Sequence, residues 1–152
     1  MEIAEAVIFV GVQGSGKTSY YRERFFDTHV RISLDMLRTR AREEILFAAC
    51  LQARQSFVID NTNVRVLDRA RYIPKARAAG FRVHAYCFRT SLQDAMRRNS
   101  QRKIQQKVPT AAVAATFKKL EMPTLEEGFD GIFMVELNCE GQFVLGAEGA
   151  VD

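Results

Sequence analysis

Eight consecutive residues near the amino terminus have the types and the spacing that phosphate binding requires. They follow the P-loop pattern G-x-x-x-x-G-K-S/T and are Gly11, Val12, Gln13, Gly14, Ser15, Gly16, Lys17 and Thr18. Glycines let the backbone approach a phosphate without a Cβ in the way, so successive N–H groups can form an anion nest. We expect Lys17 to reach the β- and γ-phosphates of ATP, and the Thr18 hydroxyl to bind Mg²⁺. The sequence therefore predicts ATP and Mg²⁺ as cofactors.

The P-loop stands between a predicted strand and a predicted helix, which is the context that it requires. The apolar residues 6–10 have the length and the β-branched character of a buried strand, and residues 19–26 are a plausible helix. The partial positive charge at the helix N-terminus favours a bound phosphate. A chance glycine-rich turn is the alternative, and the agreement of motif and context disfavours it.

An acid and a base, Asp35 and Arg38, follow a short predicted strand at residues 30–33. Because they lie three residues apart, the pattern predicts that they share one face at the start of a helix running from residue 36 to about residue 55. A carboxylate in this position can accept the proton of a hydroxyl group that is being phosphorylated. The alternative is a helix-N-terminal acid beside a solvated arginine.

A second acid, Asp60, ends the predicted strand at residues 57–59. A carboxylate there can hold a metal-bound water or orient a substrate hydroxyl. The alternative is turn chemistry, since Asp and Asn favour turns. Ligands of parallel sheets bind beyond the carboxyl ends of the strands, so the P-loop, Asp35 and Asp60 are predicted to meet at one edge.

Two arginines, Arg98 and Arg102, lie in the dense basic run at residues 97–103. Their spacing of four residues predicts a shared helical face. A charge run is often only a solvated helix surface. A kinase, however, needs cations over the transferring phosphoryl group, and the guanidinium fork suits that task. The flexible basic stretch beyond the arginines is typical of a lid that closes on ATP.

Strands and helices alternate along the rest of the chain, and we predict one domain over residues 1–152. Further helices are predicted at 66–79 with a kink at Pro74, at 91–102 and from 109 or 110 to about 120, and further strands at 83–88, 132–137 and 143–145. This order predicts an α/β fold with a mainly parallel sheet covered by helices on both faces.

The composition sets only loose limits on function. The chain of 152 residues carries a formal net charge of +4, which is compatible with a nucleic-acid partner without demanding one. The cysteines at 50, 87 and 139 fit no metal-ligand spacing, so we interpret them as reduced thiols of a cytoplasmic protein. The apolar run near the amino terminus is too short for a signal-peptide core or a membrane span, and no membrane association is expected.

The ordered set of motifs resembles the kinase domain of polynucleotide 5′-kinases, the module found in polynucleotide kinase–phosphatases. The resemblance covers nearly the whole chain and rests on the P-loop, D-x-x-R at 35–38, IDNTN at 59–63, RARY at 69–72, ARAAG at 76–80, RNxxR at 98–102 and PTLEEGF at 123–129. A P-loop alone is shared by countless nucleotide-binding proteins, whereas the ordered set is far more specific.

The resemblance implies a role for each matching residue. Asp35 corresponds to the general base on the 5′-hydroxyl, and Arg38 to the arginine that holds the neighbouring phosphate of the acceptor. Asp60 corresponds to an aspartate that helps to assemble the acceptor site. Arg98 and Arg102 correspond to lid arginines, and the latter contacts ATP phosphate. The implied partners are 5′-hydroxyl ends of DNA or RNA, in nucleic-acid repair or processing.

The chain departs from the family pattern at two P-loop positions. Gln13 stands where the family often has proline, and Thr18 replaces the commoner serine; both are compatible with phosphate and Mg²⁺ binding. The D-x-D-x-T/V phosphatase motif is missing from the printed sequence, so we expect no 3′-phosphatase activity. A kinase of a nucleoside or another small hydroxyl compound remains the alternative enzyme. A nucleotide-binding switch would explain the P-loop but would leave Asp35 and the lid arginines without a role.

Overall fold

A computed structural model describes residues 3–147, and within them the strands form one sheet of six strands. In chain order the strands are β1 (Glu5–Val10), β2 (Val30–Ile32), β3 (Phe57–Ile59), β4 (Arg82–Phe88), β5 (Gly131–Leu137) and β6 (Phe143–Ala147). Their order across the sheet is β2-β3-β1-β4-β5-β6. The neighbouring pairs are parallel except β5 and β6, which are antiparallel.

The helices lie in the connections between the strands. They are α1 (Lys17–Arg24), α2 (Leu34–Leu37), α3 (Arg40–Ala53), α4 (Val66–Arg69), α5 (Ile73–Ala78), α6 (Leu92–Ser100) and α7 (Thr110–Lys118), and a short 3-10 turn spans Leu125–Glu127. Among the helices of residues 3–147, none is long and apolar enough to cross a membrane.

Both faces of the sheet are buried, which explains the continuous apolar run of β1. Successive residues of a strand point to opposite faces. On one face, Ile8 belongs to a buried cluster with Phe47 of α3 and Ile73 of α5. On the other face, Phe9 packs against Tyr20 of α1, with their ring centroids 6.1 Å apart. The central strand β1 is therefore held rigidly, and the P-loop begins directly after its buried carboxyl end.

The predicted fold class is confirmed, because the sheet is mainly parallel and helices cover both of its faces. All six predicted strands are present, with ends within one or two residues of their predicted positions. Within residues 3–147, the cysteines at 50, 87 and 139 form no disulfide bond. The single domain predicted over residues 1–152 extends at both ends beyond the described residues, and it stays a prediction.

The long helix predicted from residue 36 to about residue 55 is wrong, because the chain breaks it into α2 and α3. Arg38 ends α2 with a positive φ of 75°, a conformation that interrupts a right-handed helix. Thr39 then begins α3 as its N-cap, and its hydroxyl accepts a hydrogen bond from the Arg42 amide. Asp35 and Arg38 therefore do not share a face of one continuous helix.

Two other helix predictions need correction. The kinked helix predicted at 66–79 is two helices, α4 and α5, and Pro74 lies in the first turn of α5, where its missing N–H costs no hydrogen bond. The helix predicted to run through Arg102 ends at Ser100. Arg102 therefore lies in the loop of residues 101–109, which we call the lid loop after its predicted role.

An ion pair between a fully buried arginine and a mostly buried glutamate ties α4 to the 3-10 turn. The Arg69 side chain donates from Nε and Nη2 to the two carboxylate oxygens of Glu127, over 2.7 and 3.0 Å. Its Nη1 donates to the Asn63 carbonyl over 2.9 Å. Because Asn63 lies just after β3, this contact also fixes the loop that carries Asp60.

Replacing Arg69 by alanine is expected to lower the free energy of unfolding by about 3–5 kcal/mol, because Glu127 would remain buried and uncompensated. The matched control is Arg65→Ala, which removes a pair with Asp68 in which the arginine is about half exposed. That change should cost far less, because an ion pair at the solvent-exposed surface contributes little to stability. Urea unfolding of the two variants measures the difference, and equal losses would contradict the assignment.

Candidate functional site

A cleft opens at the carboxyl ends of the central strands, where the sequence predicts a ligand site. Its volume is about 550 Å³, within the range of pockets for small ligands. The P-loop forms its floor, the start of α2 and the end of β3 form one side, and α6 with the lid loop forms the other. The candidate residues Lys17, Thr18, Asp35, Asp60, Arg98 and Arg102 all line it.

The P-loop backbone has the conformation that its glycines permit. Gly14 and Gly16 have φ of 79° and 96°, in the left-handed region that side chains disfavour. A Cβ on Gly14 would lie 2.2 Å from the Ala95 carbonyl oxygen, because the loop packs directly against α6. Helix α1 begins at Lys17, so its N-terminus faces the cleft. At the positions of Gly14 and Gly16 the cradle formed by the loop therefore requires glycine.

The Lys17 ammonium group lies within this cradle. Nζ donates to the carbonyls of Gly11 and Val12 over 2.9 and 2.8 Å. Burial lowers the pKa of Lys17 to about 8, and Asp60 and Asp35 oppose that shift by favouring the charged form. Below that pKa the site therefore holds a poorly solvated positive charge, which is well suited to an anion.

Asp60 and Thr18 form the group best suited to a divalent cation. The Thr18 hydroxyl donates to Asp60 Oδ2 over 2.9 Å, and only 5% of the Asp60 surface is exposed. A P-loop hydroxyl and a strand-end aspartate are the pair that holds Mg²⁺ in P-loop NTPases. The sequence allows Asp60 either to hold a metal-bound water or to orient a substrate hydroxyl. The contact with Thr18 favours the first of these roles. The same carboxylate oxygen also accepts from Arg31 Nε over 2.8 Å.

Asp35 projects from α2 at the mouth of the cleft, and its side chain is 61% exposed. The start of α2 is anchored because the Leu34 amide donates to Asn61 Oδ1 over 2.9 Å. The Arg102 guanidinium reaches Asp35 from the lid loop, with 3.4 Å between Nη2 and Oδ2. The predicted base is therefore on the same cleft as the P-loop and touches a predicted lid residue.

A buried polar network supports this side of the cleft. Glu43 is 1% exposed and accepts hydrogen bonds from Asn61, Tyr72 and Arg40 over 2.7–2.8 Å. Burial, followed by the charge of Glu43, raises the pKa of Tyr72 to about 12, so its hydroxyl stays a donor at neutral pH. Through Asn61, the network couples the Arg40 side chain to the helix that carries Asp35.

The lid arginines lie on two different elements. Arg98, on α6, donates to the Gly14 carbonyl over 3.4 Å and to Thr90 over 3.3 Å. The two ends of the lid loop are held together by Asn99, whose side chain donates one hydrogen bond to the Val108 carbonyl and accepts another from the Val108 amide. The predicted shared helical face is wrong, since Arg102 follows the helix end, but both arginines nevertheless line the cleft.

Arg38 is a predicted site residue outside the P-loop that does not line the cleft. It is exposed at the end of α2, where the positive φ turns the chain away from the Asp35 helix. Arg40, two residues further on, lines the cleft instead. The role of Arg38 in holding an acceptor phosphate stays a prediction.

Sequence reasoning missed Arg31, Arg40 and Glu43 as parts of this site. Arg31 belongs to a short predicted strand. Its charge among apolar residues was the available signal that this side chain has a role in the site. Glu43 stood among charged helix residues and was indistinguishable from a solvated surface. Its burial depends on Tyr72, which is 29 residues away along the chain.

The fold and the site together define the class of this protein. A P-loop at the carboxyl edge of a mainly parallel sheet, with helices on both faces, is the fold of P-loop kinases. The chain belongs to the AAA-domain family, whose model matches residues 44–123, more than half of the chain. The matched segment begins after the P-loop. The P-loop itself is identified by its sequence pattern and its backbone conformation.

The similar proteins agree with this class. Two curated relatives are bifunctional polynucleotide phosphatase/kinase of Schizosaccharomyces pombe, 28% identical over 91% of this chain, and a putative one of Acanthamoeba polyphaga mimivirus, 30% identical over 84%. The chain spans about a third of the length of these relatives, 35% and 32% respectively. The resemblance to polynucleotide kinase–phosphatases is thus confirmed.

A solved structure shows the same fold at lower sequence identity. A fungal RNA kinase is 16% identical and superposes with a TM-score of 0.64 over 91% of this chain and 39% of its own. At this identity the likeness concerns the fold alone.

Proposed function

We propose that this chain transfers the γ-phosphate of ATP to the 5′-hydroxyl of a polynucleotide. The observation that carries the proposal is the placement of the Asp35 carboxylate on the same cleft as Lys17 of the P-loop. A switch that only binds nucleotide has no use for a carboxylate at the mouth of the cleft. The two curated relatives, which are named for polynucleotide kinase activity, support the same reaction.

The P-loop and its neighbours fit ATP and Mg²⁺ by their chemistry. The glycine cradle and the N-terminus of α1 supply backbone donors to phosphate oxygens, and Lys17 supplies the charge. Thr18 and Asp60 would hold Mg²⁺, which neutralises phosphate charge in such sites. The fit to Mg²⁺ rests on the contact between the Thr18 hydroxyl and the Asp60 carboxylate beside the P-loop.

The chain acts by positioning groups and by stabilising charge, without a covalent intermediate. Asp35 accepts the proton of the attacking hydroxyl, so the oxygen can bond to phosphorus as the bond to ADP breaks. Arg98 and Arg102 face the phosphoryl group from the opposite side and stabilise its charge. In this step Arg102 exchanges its contact with Asp35 for one with phosphate.

The acceptor is bound through its phosphates. Arg22 and Arg40 line the outer part of the cleft, and Arg38 lies just outside it. The described lining holds no Phe, Tyr or Trp that could stack on a base. Recognition through backbone phosphates makes the reaction tolerant of base identity. The modest net charge of +4 favours the rival acceptor, a nucleoside or another small hydroxyl compound.

The acceptor test compares a nucleoside with its 3′-phosphate, with labelled ATP as donor. We expect the 3′-phosphate to be used about ten- to a hundredfold better, since a charge-assisted hydrogen bond is worth about 1.5–3 kcal/mol. Arg38→Ala and Arg40→Ala, made separately, identify the arginine that produces this gap. Arg42→Ala removes an exposed arginine outside the cleft lining and serves as the control. Equal use of both acceptors by the unaltered chain would favour the small-molecule reading.

The affinity for ATP is expected to be constant below about pH 8 and to fall above it. The pKa of Lys17 is about 8, and only its charged form attracts phosphate, so affinity falls by up to about tenfold per pH unit beyond that value. Equilibrium titrations between about pH 6.5 and about pH 9.5 measure the profile. Lys17→Arg carries a charge that does not titrate there and should remove the decline. A flat profile in the unaltered chain would contradict the assignment.

A further inference from the structure

Arg31 places a positive charge on the group that we assign to Mg²⁺. It belongs to the edge strand β2, opposite Val58 of β3, and its side chain reaches the cleft. Nε donates to Asp60 Oδ2 over 2.8 Å. Nη2 lies 3.3 Å from both the Thr18 and the Ser33 hydroxyl oxygens. The guanidinium therefore contacts the carboxylate and the hydroxyl together.

A guanidinium and a divalent cation compete for the same carboxylate oxygen. Asp60 is nearly buried, so its Oδ2 faces few partners other than Thr18 and Arg31. Like charges repel strongly at such short separations in a poorly solvated site. A metal ion that binds Asp60 Oδ2 therefore competes directly with the guanidinium. The Arg31 side chain is 21% exposed, which leaves it room to move toward the cleft.

We propose that Arg31 is a resident cation of the nucleotide site, one that exchanges with Mg²⁺ on Asp60. Without the metal, Arg31 holds Asp60 and Thr18 in place and supplies positive charge to the phosphates. With the metal, it releases the carboxylate and faces the cleft. This inference rests on the ATP and Mg²⁺ part of the proposed function and is independent of the acceptor. Arg31 is thus a positioning residue whose effect depends on the metal.

The exchange predicts how Arg31 changes the metal dependence of ATP binding. The measured quantity is the ratio of the ATP dissociation constant in chelator to that in saturating Mg²⁺. Without the metal, the Arg31→Gln site has lost its cation, so ATP should bind more weakly. With Mg²⁺, the variant has lost the group that competes with the metal for Asp60. The ratio is therefore expected to rise by at least about tenfold. The matched control is Arg82→Gln, the same change of charge at an exposed residue that begins β4 and lies outside the cleft lining. Its ratio should equal that of the unaltered chain.

A second measurement needs no variant and so does not depend on how Arg31→Gln folds. Hydrogen exchange of the Arg31 Nε–H is followed by NMR in the unaltered chain, with ATP in chelator and with ATP and Mg²⁺. We expect exchange at least about tenfold faster with the metal, because the bond to Asp60 is released. A ratio in Arg31→Gln equal to that of the unaltered chain, or an unchanged rate of hydrogen exchange, would overturn the proposed replacement of Arg31 by Mg²⁺ on Asp60. Either result would leave the proposed function intact. Failure of the unaltered chain to bind ATP with Mg²⁺ would overturn both.

Discussion

Replacement of Lys17 by alanine is expected to lower phosphoryl transfer by about a thousandfold or more. In the proposed mechanism the lysine is the P-loop charge that faces the transferring group, and loss of one preorganised donor alone costs about a hundred- to a thousandfold in rate. Nζ is fixed by the carbonyls of Gly11 and Val12, so no neighbouring cation can take its position without moving the loop. ATP binding should weaken together with the rate.

The fold should survive this change. Burial lowers the pKa of Lys17 to about 8, below the ordinary value for lysine, so the folded chain holds the proton less tightly than the unfolded chain. Below about pH 8 the charge therefore opposes folding, and its removal should not destabilise the chain. Circular dichroism checks the fold, and Lys75→Ala, an exposed lysine of α5 outside the cleft lining, is the control. Transfer at the unaltered rate in Lys17→Ala would remove the P-loop from the mechanism.

Replacement of Asp35 by asparagine is expected to lower the transfer rate by about a hundred- to ten-thousandfold, the usual contribution of a general base. The change is nearly isosteric, and it removes the ability to take a proton together with the negative charge that faces Arg102. Asp35 lies at the mouth of the cleft and touches Arg102, whereas Thr18 and the nearly buried Asp60, which we propose to hold Mg²⁺, lie deeper. ATP affinity should therefore change little.

Single-turnover transfer and equilibrium ATP binding, measured on the same variant, separate the two effects. Asp27→Asn alters an exposed aspartate in the turn between α1 and β2, outside the cleft lining, and should change neither quantity. Loss of ATP binding with an unchanged transfer step would assign Asp35 to the nucleotide site. Asp60 would then be the next candidate for the base.

The parts of the site that follow strand ends were predictable from the sequence. The P-loop follows β1, and Asp60 follows β3, because parallel strands end at one edge whatever their order. The predicted start of a helix at residue 91 also agrees with α6, whose N-cap Ser91 accepts a hydrogen bond from the Asp94 amide. These features depend on residues that are neighbours along the chain.

The remaining features depend on contacts between distant residues. Arg31 reaches Asp60 only because β2 lies beside β3, and strand order cannot be read from strand patterns. Burial of Glu43 and Arg69 requires partners 29 and 58 residues away. The break at Arg38 was hidden because both flanking segments have helical composition, and the Thr39 cap was overlooked. Propensity is a weak guide where tertiary contacts decide.

The central claim is that the chain phosphorylates the 5′-hydroxyl of a polynucleotide. The most direct test uses two oligonucleotides of the same sequence, one with a 5′-hydroxyl and one with a 5′-phosphate, each incubated with γ-labelled ATP and Mg²⁺. The account predicts label on the first oligonucleotide only, with none on the second. Equal labelling of both, or label on a free nucleoside while the 5′-hydroxyl oligonucleotide stays unlabelled, would contradict it.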